Sequence, residues 1–447
     1  MARILIGTAP IIGHVNPFVP LARALVARGH EVRWTTSATF REQIEATGVR
    51  FVPSEHARDF KEFRREDFVD GGDKLEGVAA LKVDIKHGFI DNAPRQLRDL
   101  QTITRDFRPD LILGDPGFIG GLFYAELTGM PFAALNVLPL GLSSRDTAPN
   151  GLGLPPDASP LGRLRNRALN WAVEHVIFRD VQQHWNHVRA GLGLPPTGWL
   201  MDVAKSVSLY MHPSAPGFEY PRSDLPANVH FIGMLPAQAP QGWAPPAWWG
   251  DMDGSTPVVH VTQGTVANAS PELIVPCLEG LADEDVLVVV SVGGRPVDAL
   301  GLGKLPANAR IASFLSYPDL LPRTAAMVTN GGYGGVQMAL SHGVPLVVAG
   351  TTEDKPEVAA RVAWSGAGIN LKTASPTPAS VRDAVRALLD DQRYRTAARA
   401  LQAEYARYDA IALGVELLER LAATGGPVLR GQVANAPHMA LTPAAPR

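Results

Sequence analysis

Residues 329–348, TNGGYGGVQMALSHGVPLVV, carry the densest chemical signal in the chain. An apolar run, Ala325 to Val328, precedes them and reads as a buried strand. The chain then turns through Gly331, Gly332, Gly334 and Gly335 into 336–341, which has helical character. A second apolar run, 344–348, follows. This order sets backbone N–H groups and a helix N-terminus where an anion can approach. Glycine suits the turn because a Cβ would hold the backbone away from the ligand. The chemistry implied is binding of a phosphorylated ligand, a nucleotide first among them. The pattern is not G-x-G-x-x-G with an acidic residue about 20 positions on, and no Gly-Lys-Ser/Thr completes a Walker A loop. Taken alone, the same glycines also suit a tight turn that packs a helix on a sheet.

The surrounding elements say how such a turn would be positioned. Residues 3–7 read as a strand, 11–16 as a loop and 17–28 as an amphipathic helix with Pro17 in its first turn. Strands at 31–35 and 50–52 flank a helix at 37–47. A strand at 111–113 ends at Asp115, and a helix at 118–128 leads to a strand at 132–137. This alternation with short links predicts a parallel, doubly wound α/β sheet. Residues 54–100 and 138–196 break the rhythm with aromatic and apolar positions such as Phe63, Phe68, Phe89, Trp171 and Trp185. Insertions of this kind shape a pocket or simply pack.

Residues 236–257, rich in proline, glycine and tryptophan, read as a linker. The alternation then restarts with a strand at 258–262, a helix at 271–281 and strands at 286–292 and 310–312. Helical periodicity covers 381–389 and 395–420. The domain reading is 1–235, linker, 258–400, a helix at 401–424 that crosses back to the first domain, and a loose tail at 425–447. Ligands of open α/β sheets sit beyond the carboxyl ends of the strands. Residues 8–16, Asp115, Gly264-Thr265 and the Asn330 turn all fall there.

Composition narrows the function. The 447 residues are 46% apolar and 19% charged, with a formal net charge of −3. That balance gives no basic footprint for nucleic acid. The single cysteine, Cys277, excludes internal disulfides and a cysteine-rich zinc site. No apolar run is long enough to span a membrane, and the N-terminus reads as a strand rather than a signal peptide. A soluble, cytoplasmic protein is expected. Its oligomeric state is not legible.

Taken in order, these motifs resemble the family-1 glycosyltransferases of GT-B fold. That group comprises nucleotide-sugar-dependent transferases for small aglycones, bacterial macrolide and flavonoid transferases among them. The resemblance rests on G-H-V-N-P at 13–17, Gly114-Asp115, Gln263-Gly264-Thr265 and Leu320-Leu321-Pro322-Arg323. It extends through the 331–335 loop, Ala339-Leu340, Gly343-Val344-Pro345 and Asp354-Lys355-Pro356. It implies two Rossmann-like domains facing a cleft. It also implies inverting transfer of a hexose from a nucleotide sugar to a hydroxyl of a hydrophobic acceptor, with no metal and no other cofactor. His14 then matches the base and Asp115 the carboxylate that orients it. Gly264, Thr265, Gly332, Gly334 and Gly335 match the diphosphate contacts. Leu315 and Tyr317 match the nucleobase site, and Asp354 with Lys355 matches a pair that meets the donor sugar.

Three departures bear on the donor. Asn330 stands where the family has histidine, and it donates a hydrogen bond without a charge. Met338 stands where a glutamate grips the ribose. Gln337 is one residue away but points about 100° around the helix. Ser316-Tyr317 replaces Pro-Gln. UDP-glucose is the first donor implied, and a dTDP-sugar, with its deoxyribose, the second. Two other readings use the same motifs: a nucleotide-sugar epimerase, and a non-catalytic nucleotide-sugar-binding partner of another transferase.

Overall fold

The computed structural model describes residues 1–59, 61, 63–236, 242–264 and 271–431. Two parallel sheets dominate it. The first contains β1 (Arg3–Gly7), β2 (Glu31–Thr36), β3 (Arg50–Pro53), β4 (Leu111–Gly114), β5 (Phe132–Leu135), β6 (Leu209–His212) and β7 (Val229–Phe231), in the order 3-2-1-4-5-6-7. The second contains β8 (Val258–Thr262), β9 (Leu287–Ser291), β10 (Ala309–Ala312), β11 (Thr324–Thr329), β12 (Leu346–Val348) and β13 (Gly368–Asn370), in the order 10-9-8-11-12-13. Each order reverses at its first strand. A crevice therefore opens beyond the carboxyl ends of β1 and β4, and another beyond those of β8 and β11.

The strands are near-continuous apolar runs because helices cover both faces. β8 and β9 are buried at every position. Gly7 lets the Phe118 ring lie against β1, since a Cβ there would sit 2.1 Å from Phe118 Cε1. The pairing Gly7↔Gly114 sets residues 8–9 beside Asp115.

Several sequence expectations change. Residues 11–16 hold a helical turn, Ile12–Val15, rather than a plain loop. β6 and β7 had no counterpart among the strands read from the sequence. β6 is Leu-Tyr-Met-His, and its His212 meets the buried Glu219, so the run does not look like core. The single helical stretch at 395–420 is two helices, Gln392–Tyr405 and Ala410–Thr424. The break at Asp409 is closed by its carboxylate, which accepts from Ala412 N at 2.9 Å.

The crossing therefore begins at 410 and not at 401. Leu401 and Tyr405 pack with Val336 and Leu340 under the second sheet, whereas Leu413, Leu417 and Leu421 pack with Ile4, Leu21 and Leu113 under the first. The tail is not loose from its start. Val428 is fully buried, its N–H donates to Ser208 O at 2.9 Å, and Arg430 N–H donates to Ala227 O at 2.8 Å. Residues 432–447 lie outside the described residues. The described part of the linker is packed as well: Trp248 and Trp249 lie against a core of Met252, Leu287 and Leu320.

The Ala410–Thr424 helix is the returning element of the first core. Leu417→Ala should lower unfolding stability by about 3 kcal/mol, the usual cost of a fully buried leucine, and urea denaturation reads it directly.

Candidate active site

The first half of the site is built on Asp115, which follows β4 directly. Its carboxylate has no solvent exposure. Oδ1 accepts from Ala9 N at 2.8 Å, and Oδ2 accepts from Gly117 N at 2.9 Å and faces His14 Nδ1. Two backbone donors and an imidazole thus fix the carboxylate. The Ile12–Val15 turn brings His14 back over the strand end. With Nδ1 held by Asp115, the nitrogen left to act on a ligand is Nε2. His14 lines a cleft of about 2100 Å³ whose far wall comes from the second sheet.

That wall is the 330–335 turn. Gly331 has φ +92°, and a Cβ there would meet Val348 Cγ1 at 2.8 Å. Gly332 caps the nine-residue helix Tyr333–Ser341, whose first turn has no acidic residue. A Cβ on Gly332 or Gly334 would meet nothing within 4 Å, so both face open cleft. The helix N-terminus therefore presents unpaired N–H groups and a positive dipole end to the cavity. Asp354 stands on another side of the cavity, at the start of the Lys355–Trp364 helix, without a side-chain capping bond. Burial pushes its carboxyl up to about 6, Glu353 adds to the rise, and Lys355 and His14 oppose it. Asp354 and His14 line the same cleft.

A buried ion network joins the two halves beneath the cleft. Arg361 donates to Glu219 at 2.9 Å, to Glu357 at 2.7 Å and to Leu140 O at 3.2 Å. Tyr333 donates to Glu219 at 2.7 Å, and His212 Nε2 lies 3.2 Å from the same oxygen. Burial alone would raise the Glu219 carboxyl, but Arg361, His212 and Arg222 outweigh it and hold it far below its usual range. Glu357 also accepts from Gly151 N at 2.8 Å and Gly153 N at 2.7 Å. A helix of the second half thereby carries a loop of the first half that lines the cleft.

The comparisons with known proteins fit this geometry. Residues 276–412 match the family described as Erythromycin biosynthesis protein CIII-like, C-terminal domain. The chain is 47% identical over 422 residues to 4'-demethylrebeccamycin synthase of Lentzea aerocolonigenes, covering 94% of this chain and 99% of the relative. The chain belongs to the family-1 glycosyltransferases. UDP-glycosyltransferase 2 of Phaeomoniella chlamydospora is 35% identical, with 94% and 96% covered. The calicheamicin glycosyltransferase CalG4 shares the GT-B fold at a TM-score of 0.73 and 23% identity, with 96% and 100% covered.

In this transferase the described residues expected around the donor all line the cleft, although several are also tied into the packing around it. Gly264, Leu315, Tyr317, Asn330, Gly332, Gly334, Gly335, Gln337, Asp354 and Lys355 line it with His14 and Asp115. Thr265 lies outside the described residues. One N–H of Asn330 Nδ2 donates to the Gln263 carbonyl, and its buried Oδ1 has no partner among the described residues. Gln337 is also buried, and its Oε1 accepts from Tyr405 at 2.9 Å. Lys355 is buried with its ammonium on Thr352, at 2.9 Å, and on Glu353. Leu315 is a core side chain. Tyr317 packs edge-on to His260 at 5.5 Å, and burial lifts its hydroxyl pKa to about 12.

The exposed ring at this end of the cleft is Phe314, 38% accessible, which the sequence reading passed over. Its signal was present: a phenylalanine just past the end of β10, outside any apolar period. Glu357 and Arg361, four residues apart, were missed because the Glu219 that joins them lies 142 residues from Arg361.

Two outcomes follow for the transferase. Asp354 has a folded-state pKa above its unfolded value, so stability falls as pH rises from about 4 to about 6. Asp354→Asn should therefore melt higher than wild type at pH 7.5, with the gain vanishing near pH 4 in a thermal scan. Glu357→Gln should raise the KM of acceptor and donor together, each by about tenfold, the size of one lost charge-assisted hydrogen bond, because the 151–153 loop and the Lys355–Trp364 helix both rest on this carboxylate. Steady-state kinetics with each substrate varied in turn decide it.

Proposed function

We propose that this transferase moves a hexose, with inversion and without a metal at the reacting centre, from a nucleotide sugar to a hydroxyl of a hydrophobic small molecule. One observation supports it above the rest. The His14–Asp115 pair and the open N-terminus of the Tyr333–Ser341 helix share one cleft. The acceptor O–H gives its proton to His14 Nε2 as its oxygen attacks the anomeric carbon. The new C–O bond forms on the face opposite the breaking bond to the diphosphate, which accounts for inversion. Asp115 stabilises the imidazolium that results. The charge that develops on the departing diphosphate is met by the N–H groups of 332–335 and the helix dipole.

Phe89, Leu122, Phe178, Trp185 and Trp199 give the cleft apolar walls on the first half, which suits an apolar acceptor. UDP-glucose stands first as donor, because the relative at 35% identity is named for UDP. A dTDP-sugar stands second, because Met338 offers a ribose no hydrogen bond.

His14→Ala tests the mechanism. It should lower kcat by roughly 10²–10⁴-fold while UDP or dTDP still raises the melting temperature as for wild type. Unchanged turnover would remove His14 as the base. If no nucleoside diphosphate stabilises even the wild-type chain, the reading of a non-catalytic partner takes precedence.

A further inference from the structure

Away from the cleft, three side chains converge that the transfer reaction does not use. His87 lies in a π-helical turn, Asp84–Phe89, and Asp91 follows four residues later. His184 comes from another element, the Arg179–Gly191 helix. His87 Nδ1 lies 2.7 Å from Asp91 Oδ2, and His184 Nε2 lies 2.6 Å from Asp91 Oδ1. One ligand-capable atom from each residue lies within 4.8 Å of the others. The two rings stand at 63° with centroids 5.5 Å apart, so they converge on the carboxylate instead of stacking on each other. Phe68 lies flat against His87, at 4.7 Å and 8°, and fixes its plane. All three residues are half-buried, so the cluster is within reach of solvent.

We propose that His87, Asp91 and His184 form a structural site for a divalent transition ion of the zinc class. Two imidazole nitrogens and one carboxylate oxygen are ligands that such an ion takes at about 2.0–2.2 Å. Magnesium and calcium prefer oxygen-only sets. Entry of the ion replaces the two hydrogen bonds with coordinate bonds. The ligand atoms then separate to roughly 3.3 Å, the edge of a tetrahedron with those bond lengths. Each neutral ring carries its proton on the nitrogen that faces away, and a water completes the shell.

The position gives the ion a role. Lys82 and Lys86 already bind Asp180 at 2.8 and 2.6 Å, tying the same two elements together nearby. Ile85 and Phe89 from one element and Trp185 from the other line the cleft. The ion is a second clasp on that wall, and its ligands are not among the residues that line the cleft.

The test uses the tag-free full-length chain, stripped with a chelator and dialysed against cobalt(II) or zinc(II). The expected result is close to one cobalt per chain, visible absorption bands of a four-coordinate ion, and a raised melting temperature. His184→Asn and His87→Asn should each lose all three while keeping the far-ultraviolet circular dichroism of wild type. If either variant fails to fold, Asp91→Asn replaces it. Clearly sub-stoichiometric uptake by wild type, or uptake unchanged in the folded variants, overturns the proposal and leaves the three residues as a hydrogen-bonded clasp. Magnesium uptake that matches cobalt uptake overturns it too.

Discussion

The buried guanidinium of Arg361 is the fixed point between the two halves of this transferase. It touches Glu219 and the Leu140 carbonyl of the first half and Glu357 of its own helix, all out of solvent. A buried charge that loses its partner costs several kcal/mol, so these groups keep their arrangement together or exchange it together. Three parts of the site refer to this one cluster. Tyr333 begins the helix that faces the diphosphate position and bonds to Glu219. Glu357 holds the backbone at Gly151 and Gly153, beside the cleft. The Lys355–Trp364 helix that carries both Glu357 and Arg361 starts at Asp354. Donor wall and acceptor wall are thus spaced by the same charges.

The two carboxylates of the cleft show how environment divides chemical roles. Asp115 is fully buried, yet backbone N–H groups and His14 satisfy it, and it serves as a fixed acceptor that orients a ring. Asp354 is pushed up by burial with little to compensate, which leaves its carboxyl close to neutrality at about 6. A carboxylate in the first situation holds geometry; one in the second remains available to an incoming hydroxyl. Neither property follows from being an aspartate at a strand or helix end.

The departures from the family pattern acquire a physical meaning in three dimensions. Asn330 ties the 330 turn to the turn after β8 through the Gln263 carbonyl while lining the cleft. Gln337 lines it too, with its Oε1 turned towards Tyr405. The second half of the cleft thus combines the N-terminus of the Tyr333–Ser341 helix with side chains that include Phe314, Gln337 and Asp354.

What the sequence determined by itself was whatever depends on local order. Apolar runs bounded by turns gave strands, the glycines of 331–335 marked the anion turn, and the strand ends located His14 and Asp115. Those features are legible because each is carried by neighbours within a few positions. The tertiary structure decided the rest. It hid β6 behind the polar partners of His212 and broke the last helical stretch at Asp409. It also placed Val428 in the first core. It gave Gln337, Lys355 and Tyr317, which line the cleft, side-chain partners that the sequence does not show, because direction around a helix and burial against a distant element are not local properties. The Glu219–Arg361–Glu357 network and the His87–Asp91–His184 cluster join residues about a hundred positions apart. Only the folded chain brings such groups within hydrogen-bonding distance, and no spacing along the sequence records it.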